Sequence, residues 1–141
     1  MKRELTTQQN EVIFGKDDVI IQKLIADIAG GRTIDFTSWT PDLIKAGTVI
    51  VKGTVSSATV YRPHPITAGT APNPDTYSTL AEGWSVVGIL YRTITRSNPQ
   101  GSILIQGVVN EAAAQAEGLP AYTSAIKTAL KDVQFISDEE A

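Results

Sequence analysis

One histidine, His64, stands between Pro63 and Pro65 in a chain of 141 residues that contains no cysteine. A general base needs a partner to orient it, and no carboxylate lies near His64 in sequence. A surface position on a loop is therefore the expected reading. The carboxylates Asp17, Asp18, Asp27, Asp35, Asp42, Asp75, Glu82, Glu111, Glu117 and Asp132 are scattered, and no spacing recommends a pair for acid–base work. The lack of cysteine removes disulfides, thiolate nucleophiles and cysteine-ligated zinc. Gly30-Gly31-Arg32 lacks the spaced glycines, the lysine and the following helix of a phosphate loop. No serine sits in a Gly-x-Ser-x-Gly frame. No catalytic residue, metal site or cofactor is expected, so the chain does not read as an enzyme. Arg92 and Arg96 fall at an even spacing in a strand-like run, which points both to one side. With Arg62 and Lys127 they form a candidate cationic patch, read either as a solvated face or as a contact with another subunit.

The elements that would position these residues centre on Gly83 to Gly107. Two runs rich in Val, Ile, Tyr and Thr, Ser85 to Thr95 and Ser102 to Val109, flank the turn signal Ser97-Asn98-Pro99-Gln100-Gly101. This predicts a β-hairpin with a five-residue loop. Residues 1–18 are mostly polar with an apolar island at Val12, Ile13 and Phe14. They read as a frayed terminus or as an arm that adds to a partner's sheet with those three residues as anchors. Residues 19–28 are ambiguous: a hairpin with a strand at Ile25 to Ala29 turning at Gly30-Gly31 into the alternating run 33–37, or a short helix over Asp18 to Leu24. A brief helix capped by Thr40 and opened by Pro41 is expected to stop at Gly47. A strand follows over Thr48 to Lys52, broken by Gly53, with a β-rich segment from Thr54 to Arg62.

Residues 63–82 hold four of the seven prolines and form the longest irregular stretch. They read as a surface loop or as a projection toward a neighbouring subunit, with Pro63, His64 and Pro65 as contact candidates. Asn110 to Gly118 predicts a capped helix, and Pro120 opens a second over Ala121 to Lys131 with Tyr122, Ala125, Ile126, Ala129 and Leu130 on one face. A strand over Val133 to Ile136 and an acidic tail, 137–141, end the sequence. Trp39, Trp84 and Phe14 lie outside these periodicities and read as core, or as interface anchors wherever they are exposed.

Hydrophobic residues are 42% and charged residues 19%, which is the composition of a folded domain rather than a disordered one. The expected organisation is one globular domain, 19–136, between the arm and the tail: mainly β with short C-terminal helices, a compact β-barrel or β-clip-like module. The formal net charge is −3, so no nucleic-acid partner is expected. MKRELTTQQNEV starts basic but continues without an apolar run, so neither a signal peptide nor a membrane span is expected.

The order of the apolar motifs carries a resemblance. Arg32-Thr33-Ile34-Asp35-Phe36 is followed by Ile44-Lys45-Ala46-Gly47-Thr48-Val49-Ile50, then Val86-Val87-Gly88-Ile89-Leu90, then Ile103 to Asn110 with Gly107-Val108-Val109. This resembles the lambda-type head decoration, or capsid-stabilising, proteins of tailed bacteriophages, over Arg32 to Phe135. The loop 63–82 and the two helices after the hairpin depart from that pattern. The resemblance implies a non-enzymatic virion protein on the outer capsid surface, made in the host cytoplasm. It would bind the major capsid protein as a homotrimer through its arm and take no small-molecule substrate. Another assembly module, such as a head-fibre base, a tail component or an adhesin domain, is the alternative.

Overall fold

A computed structural model describes residues 17–138. The arm candidates Val12, Ile13 and Phe14 lie outside the described residues. Among the described residues the fold is mainly β, with three short helices and open sheets, and no barrel closes.

The chain enters through a single helical turn, α1 (Asp17–Ile20), and runs directly into β1 (Ile21–Asp27). Asp17 fixes this entry: its carboxylate accepts from the Thr93 N–H at 2.9 Å and from the Thr93 hydroxyl at 2.7 Å. Both readings of residues 19–28 need correction. The helix is confined to four residues, and β1 does not form a hairpin with the segment after Gly30-Gly31. The turn itself exists, closed by the Gly31 N–H on the Ile28 carbonyl at 3.1 Å. Yet β1 pairs with β11 (Ile103–Asn110), whereas β2 (Arg32–Thr33) pairs with β10 (Gln100–Gly101).

No helix forms at Pro41. Residues 40–42 bend into β3 (Leu43–Ile44), which pairs with β9 (Ile94–Thr95). The strand β4 (Val49–Val55) runs straight through Gly53 instead of ending there, because the flat indole of Trp84 lies where a side chain would stand. A tight turn at Ser56 and Ser57, both with positive φ (50° and 70°), returns the chain into β5 (Ala58–Pro63). Paired left-handed residues match the twist of a two-residue hairpin. The segment 63–82 is not wholly irregular: β6 (Ile66–Thr67) pairs with β7 (Thr76–Tyr77).

The predicted central hairpin is right in its pairing and wrong in its extent. β8 (Ser85–Leu90) pairs antiparallel with β11 at Leu90–Ile103 and Ile89–Leu104. The first strand stops at Leu90, however, and the connection leaves the sheet to form β9 and β10. After β11, Asn110 caps α2 (Glu111–Ala116) as expected, its side chain accepting from the Ala113 N–H. The second helix, α3 (Ser124–Ala129), is shorter than predicted and is capped by Thr123. Tyr122, Ile126 and Leu130 are buried as its periodicity implies, but Ala125 and Ala129 face solvent. β12 (Val133–Ile136) then adds parallel to β11.

The main sheet has six strands in the order β1-β11-β8-β4-β5, with β12 on β11. Its central strands are buried on both faces, which is why they read as continuous apolar runs rather than alternating ones. Val49, Ile89 and Leu104 join Ile20, Tyr122, Ile126 and Leu130 in one core. Their neighbours Ile50, Leu90 and Ile103 join Ile34, Phe36, Ile44 and Ile94 in a second core on the opposite face.

Candidate functional site

An open groove of about 670 Å³ lies on the described part of the molecule. Its lining comes from the segment 38–45, from Val51 on β4, from Arg62 and Pro63 at the end of β5, from the 65–81 segment with Trp84, and from the turn after α2. Most of that lining is apolar: Trp39, Pro41, Leu43, Val51, Pro63, Pro65, Ile66, Leu80, Trp84 and Leu119. Its charged groups are Lys45, Arg62, Asp75 and Glu117.

Two glycines bring lining residues close to the backbone. Gly47 (φ +93°) has Ile20, Leu119 and the Tyr122 hydroxyl crowded where a Cβ would be. Gly53, on β4, lies beneath the Trp84 ring.

Two cations of the lining are already engaged. The Arg62 guanidinium sits 5.0 Å from the Trp84 ring centroid, and its Nε donates to Asp35 Oδ2 at 2.7 Å. Burial acts to raise the Asp35 pKa, but the Thr37 hydroxyl and Arg62 outweigh it, and the carboxyl titrates below its ordinary range. Lys45 Nζ donates to the Glu117 carbonyl. Trp39 is positioned from both sides: its indole N–H donates to the Leu43 carbonyl at 2.9 Å, and Arg96 Nη2 donates to the carbonyls of Trp39 at 2.6 Å and Pro41 at 2.9 Å. Both tryptophans are half-buried, so each presents part of its ring to the groove.

The site candidates fall in different places. Pro63 is buried and Pro65 exposed, and both line the groove. His64 is not a surface loop residue: it is only 3% exposed and its ring turns into the first core. There it meets Tyr77 edge-on at 5.1 Å between centroids. Tyr77 stacks on Tyr122 at 6.1 Å, and Tyr122 meets Phe135 at 5.0 Å. The Pro65 carbonyl lies 3.0 Å from His64 Nδ1 and so calls for a proton on that nitrogen. Burial lowers the His64 pKa, with the Pro65 carbonyl acting in the opposite sense.

Burial also raises Tyr77 and Tyr122 well above the ordinary phenol range. The Tyr122 hydroxyl donates to the Gly47 carbonyl at 2.7 Å. Among the described residues the Tyr77 hydroxyl has no hydrogen-bond partner; the Val49 N–H favours its ionised form without reaching bonding geometry.

Arg92 and Arg96 do not share a strand face, because the strand ends at Leu90. Arg92 pairs with Asp18 and stacks on Tyr91, and that pairing raises its pKa. Arg96 clamps the segment 36–42 and lies over Phe36. Lys127 bonds to Glu111 and approaches Phe135. The four cations thus serve four separate contacts and do not make one patch.

Nothing in the sequence marks Lys45, Val51 or Leu119 as groove residues. The one cue in the sequence is that Trp39 and Trp84 lie outside the helical and strand periodicities, which reads as core or as an interface anchor. Among the described residues no cluster of three His, Asp or Glu side chains could hold a metal ion, and no helix is long and apolar enough to cross a membrane. No protein-family model matches the chain, and neither does any curated protein or any solved structure.

Proposed function

We propose that the protein is a non-enzymatic virion structural protein: a capsid decoration, or cement, protein that binds the outer surface of an assembled tailed-phage head as trimers and stabilises it. The observation that carries this reading is the open groove beside β4 and β5. It is open and mostly apolar, with two half-buried indoles and prolines in its lining. Such a surface suits an extended polypeptide, since proline and tryptophan side chains give large contact area at low cost in side-chain entropy. Together with the 16 residues that precede Asp17 it supplies two contact elements, one receiving and one reaching. A closed barrel or β-clip belongs to this proposal only as an assembly in which a neighbour covers the open sheet. Stabilisation would follow from mass action, because a ligand of the assembled shell alone favours that shell. Threefold repetition would multiply weak contacts through avidity.

The test is co-sedimentation of the full chain with expanded empty heads. Saturable binding at a fixed ratio to the major capsid protein is the expected result. Protein that stays in the supernatant at every concentration overturns the reading in favour of a fibre, tail or adhesin module.

A further inference from the structure

We propose that His64 is an acid-sensitive latch: its neutral ring holds the segment 65–78 onto the first core, and protonation of that ring frees the segment together with its share of the groove wall. This concerns access to the groove and does not depend on the capsid reading. The attachment of the segment is unusual. β6 and β7 form a two-stranded sheet of their own, off the main sheet. The Ser78 N–H donates to the Pro65 carbonyl at 2.9 Å, the Asn73 N–H to the Thr70 carbonyl at 2.7 Å and the Gly69 N–H to Asp75 Oδ1 at 2.8 Å. Among the described residues every hydrogen bond of 65–78 stays within the segment except one, that between His64 Nδ1 and the Pro65 carbonyl at 3.0 Å.

The Pro65 carbonyl closes the base of the segment, because it accepts from Ser78 as well as from the ring. The remaining hold is apolar: Tyr77 meets the His64 ring edge-on, and Ile66 packs against the first core. The His64 N–H donates to the Val49 carbonyl of β4 at 2.7 Å, so the latch itself stays with the main sheet when the segment leaves. Nothing around the ring offsets a positive charge. β7 presents Tyr77, with Tyr122 stacked on it, and both phenols titrate far above neutrality. Glu111, which holds the Tyr122 N–H, is paired with Lys127. Arg62 on β5 is committed to Asp35 and Trp84, and Asp75 to the Gly69 N–H. Among the described residues no carboxylate pairs with His64. The Nδ1 bond survives protonation, so acid adds an uncompensated charge shut away from water, and opening relieves it. Pro65, Ile66 and Asp75 line the groove and go with the segment.

Amide hydrogen exchange of the full chain, followed by NMR from about pH 7.5 to about pH 5, tests this. After division by the intrinsic exchange rates, protection of the Ser78 amide is expected to fall by up to about tenfold per pH unit below 6.5. The amides that pair β8 with β11 should keep theirs. His64 is the only histidine, so its ring-proton signal reports its titration directly, and the fall at Ser78 should level off where the ring titrates. His64→Gln should leave Ser78 protection flat with pH, and Asp75→Asn should leave the fall intact. Protection that does not change with pH, a fall that survives His64→Gln, or one that disappears with Asp75→Asn would overturn the proposal. Parallel loss at Ser78 and between β8 and β11 would mean unfolding of the whole domain and would overturn it too. Should His64→Gln fail to fold, the unsubstituted chain still decides: a ring that titrates without any change at Ser78 overturns the latch. None of these outcomes requires a shell, so they are read independently of co-sedimentation.

Discussion

Two aromatic clusters meet the 63–82 segment, and they are built to opposite ends. His64, Tyr77, Tyr122 and Phe135 form a continuous stack within the first core, three of them almost fully enclosed. Trp39 and Trp84 sit across the groove, half-exposed and steadied by arginines. The closed cluster holds its polar tips inward: the Tyr122 hydroxyl reaches Gly47 and the His64 ring reaches Pro65. In the open cluster the Trp39 indole N–H reaches the Leu43 carbonyl. Burial and stacking in the first serve stability, whereas partial exposure in the second leaves contact area unused. Aromatic content alone does not separate a core from a binding surface; what separates them is whether the neighbouring chain closes over the rings.

The largest expected effect is in the closed cluster. Tyr122→Ala removes a ring packed between Tyr77 and Phe135 together with its bond to Gly47, and should cost about 3–5 kcal/mol in urea unfolding. Tryptophan emission of the folded variant should stay as in the parent. Next comes Gly53→Ala. Its methyl would sit 2.4–2.7 Å from Trp84 ring atoms, so the indole must move. A cost of about 1–3 kcal/mol is expected, with a clear change in Trp84 emission and an unchanged far-ultraviolet circular dichroism spectrum. If Gly53→Ala proved as costly as Tyr122→Ala, the groove would belong to the core and the contrast would fail.

The smallest effect is in pH, and it separates the two regions by their titrating groups. His64 is buried neutral, with its folded-state pKa below the ordinary 6.5. Its contribution to stability is complete above 6.5 and is lost as pH falls below that value. Asp35, beside the groove, also has a lowered pKa; its contribution is present above the ordinary 3.8 and is lost only as pH falls further. Urea midpoints should therefore decline in two steps, and His64→Gln should remove only the upper one. An upper step that survives this change would assign it to another group.

Much of the sheet was legible because the central strands carry their own signature. Ile89-Leu90 and Ile103-Leu104 are apolar on successive positions, and both faces of each are indeed covered. Asn110 was legible because a cap is a local device that depends on residues three apart. What the sequence concealed was long-range. Gly53 looked like a strand end, since nothing nearby in sequence says that Trp84 will occupy the space above it. β1 looked like half of a hairpin, because Gly30-Gly31 is a true turn; its irregular register against β11 blurs the alternation that would identify a partner. His64 looked exposed because prolines on both sides suggest a loop, yet the last residues of β5 carry it under Tyr77. The groove was hidden for the same reason, since its lining comes from several distant segments of the chain.

The position of β11 has a consequence for how the molecule is made. One edge of this strand takes β1, from the beginning of the described chain, and the other takes β8 and then β12, from its end. On the ribosome, β4, β5 and β8 can associate as soon as they emerge, but β1 must wait until Ile103 to Val109 has been synthesised. Contacts so distant in sequence make for slow folding. Until β11 arrives, the growing chain carries Val49, Ile50, Ile89 and Leu90 without the strand that completes their sheet. The interval between synthesis of Leu90 and release of Ile136 is thus when this protein is most exposed to self-association, and a nascent chain cut short before Ile103 would have no route to the native sheet.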